Sequence, residues 1–126
     1  AQLENLDDIQ KKRSQIWDAY YKALKPLEEK GLFKLPFIPQ YATNNAHMFY
    51  IVCKDLATRD KIIDVLKKNN VNAVFHYLSL HKSPFYGSKH DGRELPETDR
   101  YTDCLLRLPM FYELDPQQVI DAFISL

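Results

Sequence analysis

Hydrophobic residues recur every three or four positions through the first stretch of the chain, which predicts a long helix over residues 2–24. The apolar positions are Leu3, Leu6, Ile9, Ile16, Trp17, Tyr20 and Leu24. Acidic residues gather near the start of this stretch and basic residues toward its middle, an arrangement that suits the helix dipole. Pro26 is expected to end or kink the helix just before it, and Gly31 to stop what remains.

Three further stretches have the pattern of strands. Residues 47–53 (HMFYIVC) are apolar at successive positions, which is typical of a central strand. Residues 71–75 predict a second firm strand, and residues 105–108 a short one that Pro109 stops. Residues 32–39 are apolar but carry two prolines, so we expect an edge strand or a connection without strand structure.

The remaining periodic segments predict three helices. One spans residues 59–68 with Thr58 as its N-cap, and its inward side chains are Ile62, Ile63, Val65 and Leu66. The second spans residues 97–104, after a polar excursion over residues 86–96 that we expect to be mobile. The last is capped by Asp115, with Val119, Ile120, Phe123 and Ile124 on its inner face. This order of elements predicts one small α+β domain over residues 1–126, with a mainly antiparallel sheet packed on one side by helices.

The balance of charge bears on which partners the chain can bind, and the two cysteines bear on the compartment in which it works. Lysine and arginine together number 17, as do aspartate and glutamate, so we expect neither a nucleic-acid partner nor an anionic membrane surface. Cys53 and Cys104 have no CxxC spacing, and we interpret them as reduced, buried thiols of a cytoplasmic protein. The chain begins at Ala1 in helical periodicity, without an initiator methionine, so we expect a piece of a longer protein.

Residues 71–84, VNAVFHYLSLHKSP, begin as a predicted strand and end as a loop. His76, Tyr77 and His81 lie within six positions of this segment. Side chains alternate along a strand, so His76 and Tyr77 are predicted to leave it in opposite directions. Titratable groups at the end of a strand are a plausible wall for a site. The other interpretation is a buried strand whose histidines only satisfy local hydrogen bonds.

No complete catalytic set follows from residue types alone. His76 and His81, with His47 or Cys53, offer metal-ligand atoms, but their spacing matches no compact zinc pattern and we predict no metal site. A cysteine–histidine nucleophile is disfavoured because both thiols lie in apolar segments, where burial raises a thiol pKa. The three glycines are isolated, so no phosphate-binding loop is present in the sequence.

Three ordered segments carry a resemblance to a known family. They are residues 45–51 (NAHMFYI), 74–84 (VFHYLSLHKSP) and 105–111 (LLRLPMF), together with the opening AQLENLDDIQKKR. The chain resembles the C-terminal part of the DegT/DnrJ/EryC1/StrS sugar aminotransferases. The first two segments are most similar to transaminases acting on TDP-4-keto-6-deoxyglucose in enterobacterial-common-antigen and lipopolysaccharide synthesis. The resemblance implies the small C-terminal domain of the fold-type-I transferase fold, with pyridoxal 5′-phosphate (PLP) as the cofactor of the parent enzyme.

The resemblance also implies what the chain lacks. The parent would move an amino group from L-glutamate to carbon 4 of the nucleotide-linked keto-sugar, usually as a homodimer with shared sites. In the family, the Schiff-base lysine and the residues that hold the cofactor belong to the large N-terminal domain, whose motifs are not in this sequence. We therefore expect the chain alone to bind no cofactor and to be inactive, and to associate or bind hydrophobic dye. An apolar patch left on the long helix, where the large domain would pack, would support this interpretation.

Five residues in the matching segments are the expected substrate-facing positions: Asn45, His47, His76, Tyr77 and His81. Tyr77 and His81 have the donors that sugar hydroxyls and diphosphate oxygens need. Ser79 stands where many relatives have proline, which leaves the loop before His81 less restricted. Arg107 is expected to meet an anionic group or to form a structural ion pair. The alternative function is a free-standing binding or interaction domain that uses the same His/Tyr residues for a ligand of its own.

Overall fold

An antiparallel sheet forms the centre of the computed structural model, which describes residues 2–126, with side chains from Glu4 onward. Its strands are β1 (Phe33–Lys34), β2 (Phe49–Cys53), β3 (Val74–Phe75) and β4 (Leu105–Leu108), in the spatial order β1-β2-β4-β3. The helices are α1 (Leu6–Glu28), α2 (Leu56–Lys68), α3 (Pro96–Cys104) and α4 (Pro116–Ile124). Short 3₁₀ turns span Gln2–Asn5, Leu80–Lys82 and Gly87–Lys89.

The first helix has the predicted length but is shifted by four residues, beginning at Leu6 and ending at Glu28. It continues through Pro26 to Glu28, because a proline so near the end removes only one hydrogen bond and its side chain is exposed. The predicted stop at Gly31 is confirmed: Gly31 has a left-handed φ of 77°, and its amide donates to the Glu28 carbonyl at 2.9 Å. The side chain of Leu3, which the periodicity places on the inner face, lies outside the described residues.

The core lies between one face of the sheet and helices α1, α2 and α4. Alternate residues of the two central strands are buried there: Phe49, Ile51, Cys53, Leu106 and Leu108. Trp17 and Tyr20 of α1 pack edge-on against Phe49, at ring-centroid distances of 5.3 and 5.2 Å. The opposite face of the sheet carries the half-buried Tyr50 and Arg107. Helices therefore cover one side of the sheet, as predicted.

The second helix begins three residues earlier than predicted. Asp55, and not Thr58, is the N-cap, because the Asp55 carboxylate accepts a hydrogen bond from the Thr58 amide at 2.7 Å. Asn70 follows the helix with a left-handed φ of 58°. Ile62 and Leu66 are buried as predicted, whereas the other two inward positions are half-buried.

The predicted strand over residues 71–75 is only partly correct. Val71 and Ala73 are buried in coil, and only Val74 and Phe75 pair, at the edge of the sheet with Arg107 and Leu106 of β4. The pairing is short because only Val74 and Phe75 of this segment are in strand conformation beside β4, whereas β2 pairs with all four β4 residues. β2 is confirmed as a central strand, and β1 as an edge strand.

The last helix is capped by Asp115 as predicted, since its carboxylate accepts from the Gln117 amide. Three of the four predicted inner residues, Val119, Ile120 and Phe123, are buried. Ile124 is an error of the prediction: it is exposed in the last turn, and Ala122 takes the inner position.

Candidate functional site

The five candidate residues divide into two groups at opposite ends of the sheet. β2 and β3 both run antiparallel to β4, so they point in the same direction. Asn45 and His47 precede the start of β2, whereas His76, Tyr77 and His81 follow the end of β3. The first group therefore lies beyond the Leu108 end of β4, and the second beyond its Leu105 end. The structure does not bring the five residues into one cluster.

The first group is fixed through its backbone by α1. Gln10 Nε2 donates to the Asn45 carbonyl at 2.6 Å. The Arg13 guanidinium donates to two more carbonyls, from Nε to Ala46 at 3.1 Å and from Nη2 to His47. Ala46 is buried and has a φ of 49°, a conformation that L-residues other than glycine seldom adopt. The side chains of Asn45 and His47 are left exposed.

In the second group, His76 and Tyr77 lie side by side. Their ring centroids are 4.3 Å apart, so the prediction that they point in opposite directions is wrong. The physical reason is that β3 ends at Phe75, and the alternation of a strand no longer applies at the next two positions. Tyr77 is 70% exposed, while the Nδ1 atom of His76 is buried and has no hydrogen-bond partner among the residues that the structure describes. Both line a shallow groove of about 400 Å³ whose other wall includes Tyr101 of α3.

His81 lies against α3 through a carboxylate. Its Nε2 atom is 3.2 Å from Oδ1 of Asp99, and Nζ of Lys82 is 2.8 Å from the same oxygen. The Lys82 ammonium, and after it the His81 imidazole, lowers the pKa of the Asp99 carboxyl below its ordinary value. The His81 ring is also 5.3 Å from the ring of His90. A second groove, of about 360 Å³, is lined by these two histidines with Leu80, Tyr86 and Lys89.

Large apolar side chains are exposed around these two grooves. We call residues 76–90 the His/Tyr loop. Besides Tyr77, its exposed members are Leu78, Leu80, Phe85 and Tyr86. The apolar patch on the long helix that would support a missing domain is not found: of the α1 side chains that the structure describes, only Leu6 is a large exposed hydrophobe. The periodic face of α1 instead packs into the chain's own core. Exposed apolar side chains lie on the His/Tyr loop, and others are spread over the surface, among them Phe37, Tyr41 and Phe111.

The alternatives from residue types find little support in the geometry. Cys53 and Cys104 are free and buried, and desolvation raises the pKa of Cys53 to about 12 and that of Cys104 in the same direction. Within residues 2–126, no three or more His, Cys, Asp or Glu side chains are gathered in a way that could hold a metal ion. None of the described helices is both long and apolar enough to cross a membrane. Arg107 has no ion-pair partner among the described residues.

The described lysines do not fit a Schiff base to PLP. Such a lysine has to lose its proton, which burial or a neighbouring cation promotes. Apart from the half-buried Lys12, every lysine side chain is exposed. The pKa of Lys25 is raised, not lowered, by its hydrogen bond to Glu28. No lysine that the structure describes is therefore placed for cofactor attachment.

Sequence reasoning missed three residues of the second group: Asp99, His90 and Tyr101. Asp99 and Tyr101 come from α3, which was predicted as a helix but could not be oriented from its sequence. His90 lies in the segment expected to be a polar excursion, where it donates from Nε2 to the Arg93 carbonyl at 2.9 Å. A usable signal was the proline at the first position of α3, which places Asp99 in the first turns of that helix.

Comparisons with known proteins connect this geometry to one family. The family model described as the DegT/DnrJ/EryC1/StrS aminotransferase family matches residues 1–124. Among solved structures, the aminotransferase TlmJ from Streptoalloteichus hindustanus has a TM-score of 0.85 at 25% identity, over 98% of this chain and 33% of that one. DesV from S. venezuelae, solved in complex with a ketimine intermediate, has a TM-score of 0.81 at 26% identity, over the same shares of the two chains.

A third structure shows the cofactor of a relative. NtdA from Bacillus subtilis, solved with bound PMP, has a TM-score of 0.76 at 23% identity, over 93% of this chain and 28% of that one. The α+β fold with its antiparallel sheet matches one domain of these fold-type-I aminotransferases. The chain spans about a third of the length of the solved relatives.

Proposed function

Because the chain belongs to the DegT/DnrJ/EryC1/StrS aminotransferase family, we propose that it is the C-terminal small domain of a PLP-dependent nucleotide-sugar aminotransferase. The parent would transfer the amino group of L-glutamate to carbon 4 of TDP-4-keto-6-deoxyglucose, for lipopolysaccharide or another surface polysaccharide. The observation that carries the proposal is a family match over residues 1–124 by a chain only a third as long as its solved relatives.

The state of the lysines supports a division of labour between two domains. None of the described lysines is placed to hold PLP, so the cofactor chemistry would come from a large domain with its own lysine. This chain would contribute a wall that binds and orients the sugar. We therefore propose that the chain alone neither holds PLP nor turns over substrate.

The His/Tyr loop is the proposed wall. Tyr77 presents a hydroxyl on a largely exposed ring, and His81 lines the adjoining groove with Lys89. Hydroxyl and imidazole groups suit sugar hydroxyls, and cations suit a diphosphate. The exposed Leu78 and Phe85 are apolar area that a large domain would cover.

Asn45 and His47 require a second contact surface. They lie at the other end of the sheet from the His/Tyr loop, so one pocket within this chain cannot use both groups. A homodimer with shared sites, as proposed for the parent, gives each end of the sheet a site or a partner surface. Under this proposal the exposed side chains of Asn45 and His47 contact the nucleotide sugar from that second side.

An activity assay with paired tyrosine variants tests the proposal. We expect no amino transfer from L-glutamate to TDP-4-keto-6-deoxyglucose by the chain alone, and transfer by the protein that joins it to a PLP-binding large domain. In that protein, Tyr77→Phe should raise the KM for the nucleotide sugar about tenfold, the effect of one lost hydrogen bond of ordinary strength. Turnover by the chain alone would contradict the proposal.

The matched control is Tyr41→Phe. Tyr41 is a tyrosine with 92% exposure, and it lies outside the His/Tyr loop. Removing its hydroxyl should leave the KM for the nucleotide sugar unchanged. Equal KM values for the Tyr77→Phe and Tyr41→Phe proteins would remove the loop from the substrate site.

A further inference from the structure

We propose that Asp99 is a positioning residue that fixes the proton of His81 on Nε2 and so presents Nδ1 of the ring as a hydrogen-bond acceptor to the sugar. The inference rests on the proposed function, because it assigns an acceptor role to a residue of the proposed wall. Nothing in the sequence linked the two residues, which are 18 positions apart and come from a loop and a helix.

The argument begins with the Asp99 carboxylate. Its Oδ1 atom is buried, with no aligned hydrogen-bond partner among the described residues. Two nitrogen atoms nevertheless approach it, Nε2 of His81 at 3.2 Å and Nζ of Lys82 at 2.8 Å. The lowered pKa of Asp99 keeps the carboxyl ionised at neutral pH. A buried, ionised oxygen therefore faces one edge of the His81 ring.

A carboxylate in this position selects one tautomer of a neutral imidazole. With the proton on Nε2, the positive end of the N–H bond lies on the side of the ring that approaches the negative oxygen, at 3.2 Å between Nε2 and Oδ1, and is attracted by it. With the proton on Nδ1, the Nε2 lone pair would face the carboxylate and be repelled. The side chain of His81 is only 11% exposed, so water screens this difference weakly.

The other ring nitrogen is then available for a ligand. Nδ1 of His81 makes no hydrogen bond within the described part of the chain, and it is not among the buried unpaired polar atoms. It therefore remains open to solvent beside the groove. In the Nε2–H tautomer it is an acceptor, which suits a sugar hydroxyl and not a phosphate oxygen.

The charged residues beside the groove leave His81 and Lys89 with different roles. The Lys89 ammonium lines the same groove, 3.6 Å from the centre of the Phe85 ring, and supplies a cation for an anionic group. His90 is committed to the Arg93 carbonyl through its Nε2 atom. Lys82 neutralises part of the Asp99 charge but leaves the ring of His81 in contact with the carboxylate. His81 is thus the groove's acceptor for a hydroxyl.

The first test measures the tautomer directly. Nitrogen-15 chemical shifts of the His81 ring, recorded on this chain at a pH where the imidazole is neutral, distinguish Nε2–H from Nδ1–H. We expect Nε2–H in the unmodified chain and a mixture of tautomers in Asp99→Ala. Asp103→Ala removes a carboxylate from the other end of α3 and should leave the tautomer unchanged. An Nδ1–H ring, or no response to Asp99→Ala, would overturn the proposal.

The second test is a double-mutant cycle in the protein that includes the large domain. Asp99→Ala and His81→Ala should each raise the KM for the nucleotide sugar about tenfold, with the L-glutamate half-reaction unchanged. The double variant should be no worse than His81→Ala, because Asp99 acts through the ring. Additive effects on KM would show that Asp99 does not act through His81.

The outcomes separate this proposal from the one on which it rests. If His81→Ala raises the KM but Asp99→Ala does not, only the positioning role of Asp99 fails. If neither variant changes the KM although the tautomer behaves as expected, the placement of His81 at the sugar fails with the proposed wall. Asp99→Asn keeps the shape of the side chain without its charge, and should give an intermediate tautomer ratio if Asp99→Ala does not fold.

Discussion

The two ends of the sheet differ in how many contacts the chain itself makes to the segments that leave them. At one end, Gln10 and Arg13 of α1 bind the backbone carbonyls of residues 45–47, and Phe49 begins the core immediately afterwards. At the other end, β3 pairs through two residues and the His/Tyr loop leaves several large apolar side chains exposed. At the first end, contacts within the chain hold the backbone of residues 45–47, although Tyr41, Phe111 and Tyr112 are exposed nearby. At the second end, the exposed apolar side chains lie in one loop, which gives a surface suited to contacts that the chain does not supply.

The two ends of the sheet differ in how much their side chains contribute to stability. Burying a leucine or phenylalanine side chain contributes about 2 kcal/mol, and the His/Tyr loop forgoes that contribution at several positions. A loop held mainly by one carboxylate on α3 and by ring contacts keeps its groups accessible. Substitutions at the two ends should therefore have unequal effects on stability.

The largest effect is expected from truncating one phenylalanine at each end. Phe49→Ala removes a fully buried ring that contacts Trp17 and Tyr20, and should lower the free energy of unfolding by about 3–5 kcal/mol. Phe85→Ala removes a 63% exposed ring and should change it by less than about 0.5 kcal/mol. Urea denaturation measures both. Equal losses would mean that the His/Tyr loop is as much a part of the core as β2.

A smaller effect is expected from removing the guanidinium that closes the first end. Arg13→Met keeps much of the apolar stem but loses the hydrogen bonds to the Ala46 and His47 carbonyls, and should cost about 2 kcal/mol. Arg93→Met is the control at the second end, because the Arg93 side chain is exposed and, within the described part of the chain, its one ion pair is with Asp91. Its cost should be near zero. Thermal melts that shift equally for both variants would show that the backbone of residues 45–47 is not held by α1.

The sequence predicted the elements around β2 better than those around β3 and the His/Tyr loop. Apolar periodicity located α1, β2 and α4, because burial imposes a repeat that the residues must follow. Residues 71–75 have equally strong strand formers, but a strand also needs a partner beside it, and only Val74 and Phe75 lie where β4 can pair with them. Caps were predicted where proline fixed the helix start, as at Asp115, and misplaced at Asp55, where two side chains three positions apart could serve equally.

The candidate site was predicted in its residue types but not in its grouping. His76, Tyr77 and His81 were recognised from one segment, because adjacent positions in sequence remain neighbours in a loop. The contact of His81 with Asp99 depends on how α3 packs, and the separation of Asn45 from the loop residues depends on strand direction. Neither is encoded in local periodicity, since both are set by pairing between segments that are far apart in sequence.

The smallest expected effect tests whether the core next to the His/Tyr loop excludes water as well as the core around Phe49 does. Cys53 is buried at the end of β2 nearer the His/Tyr loop, and burial raises its thiol pKa from 9.0 to about 12. The folded chain therefore keeps this proton to a higher pH than the unfolded chain does. The resulting stability is complete below pH 9 and is lost as the pH rises toward 12, with about 1 kcal/mol gone by pH 10. Urea denaturation at pH 8, 9 and 10 measures this loss. Cys53→Ala should reduce it by about 1 kcal/mol at pH 10, with the smaller contributions of Cys104 and Tyr20 remaining. The same fall in the free energy of unfolding for both proteins would show that water reaches the Cys53 thiol, and that the core next to the His/Tyr loop is not sealed from solvent.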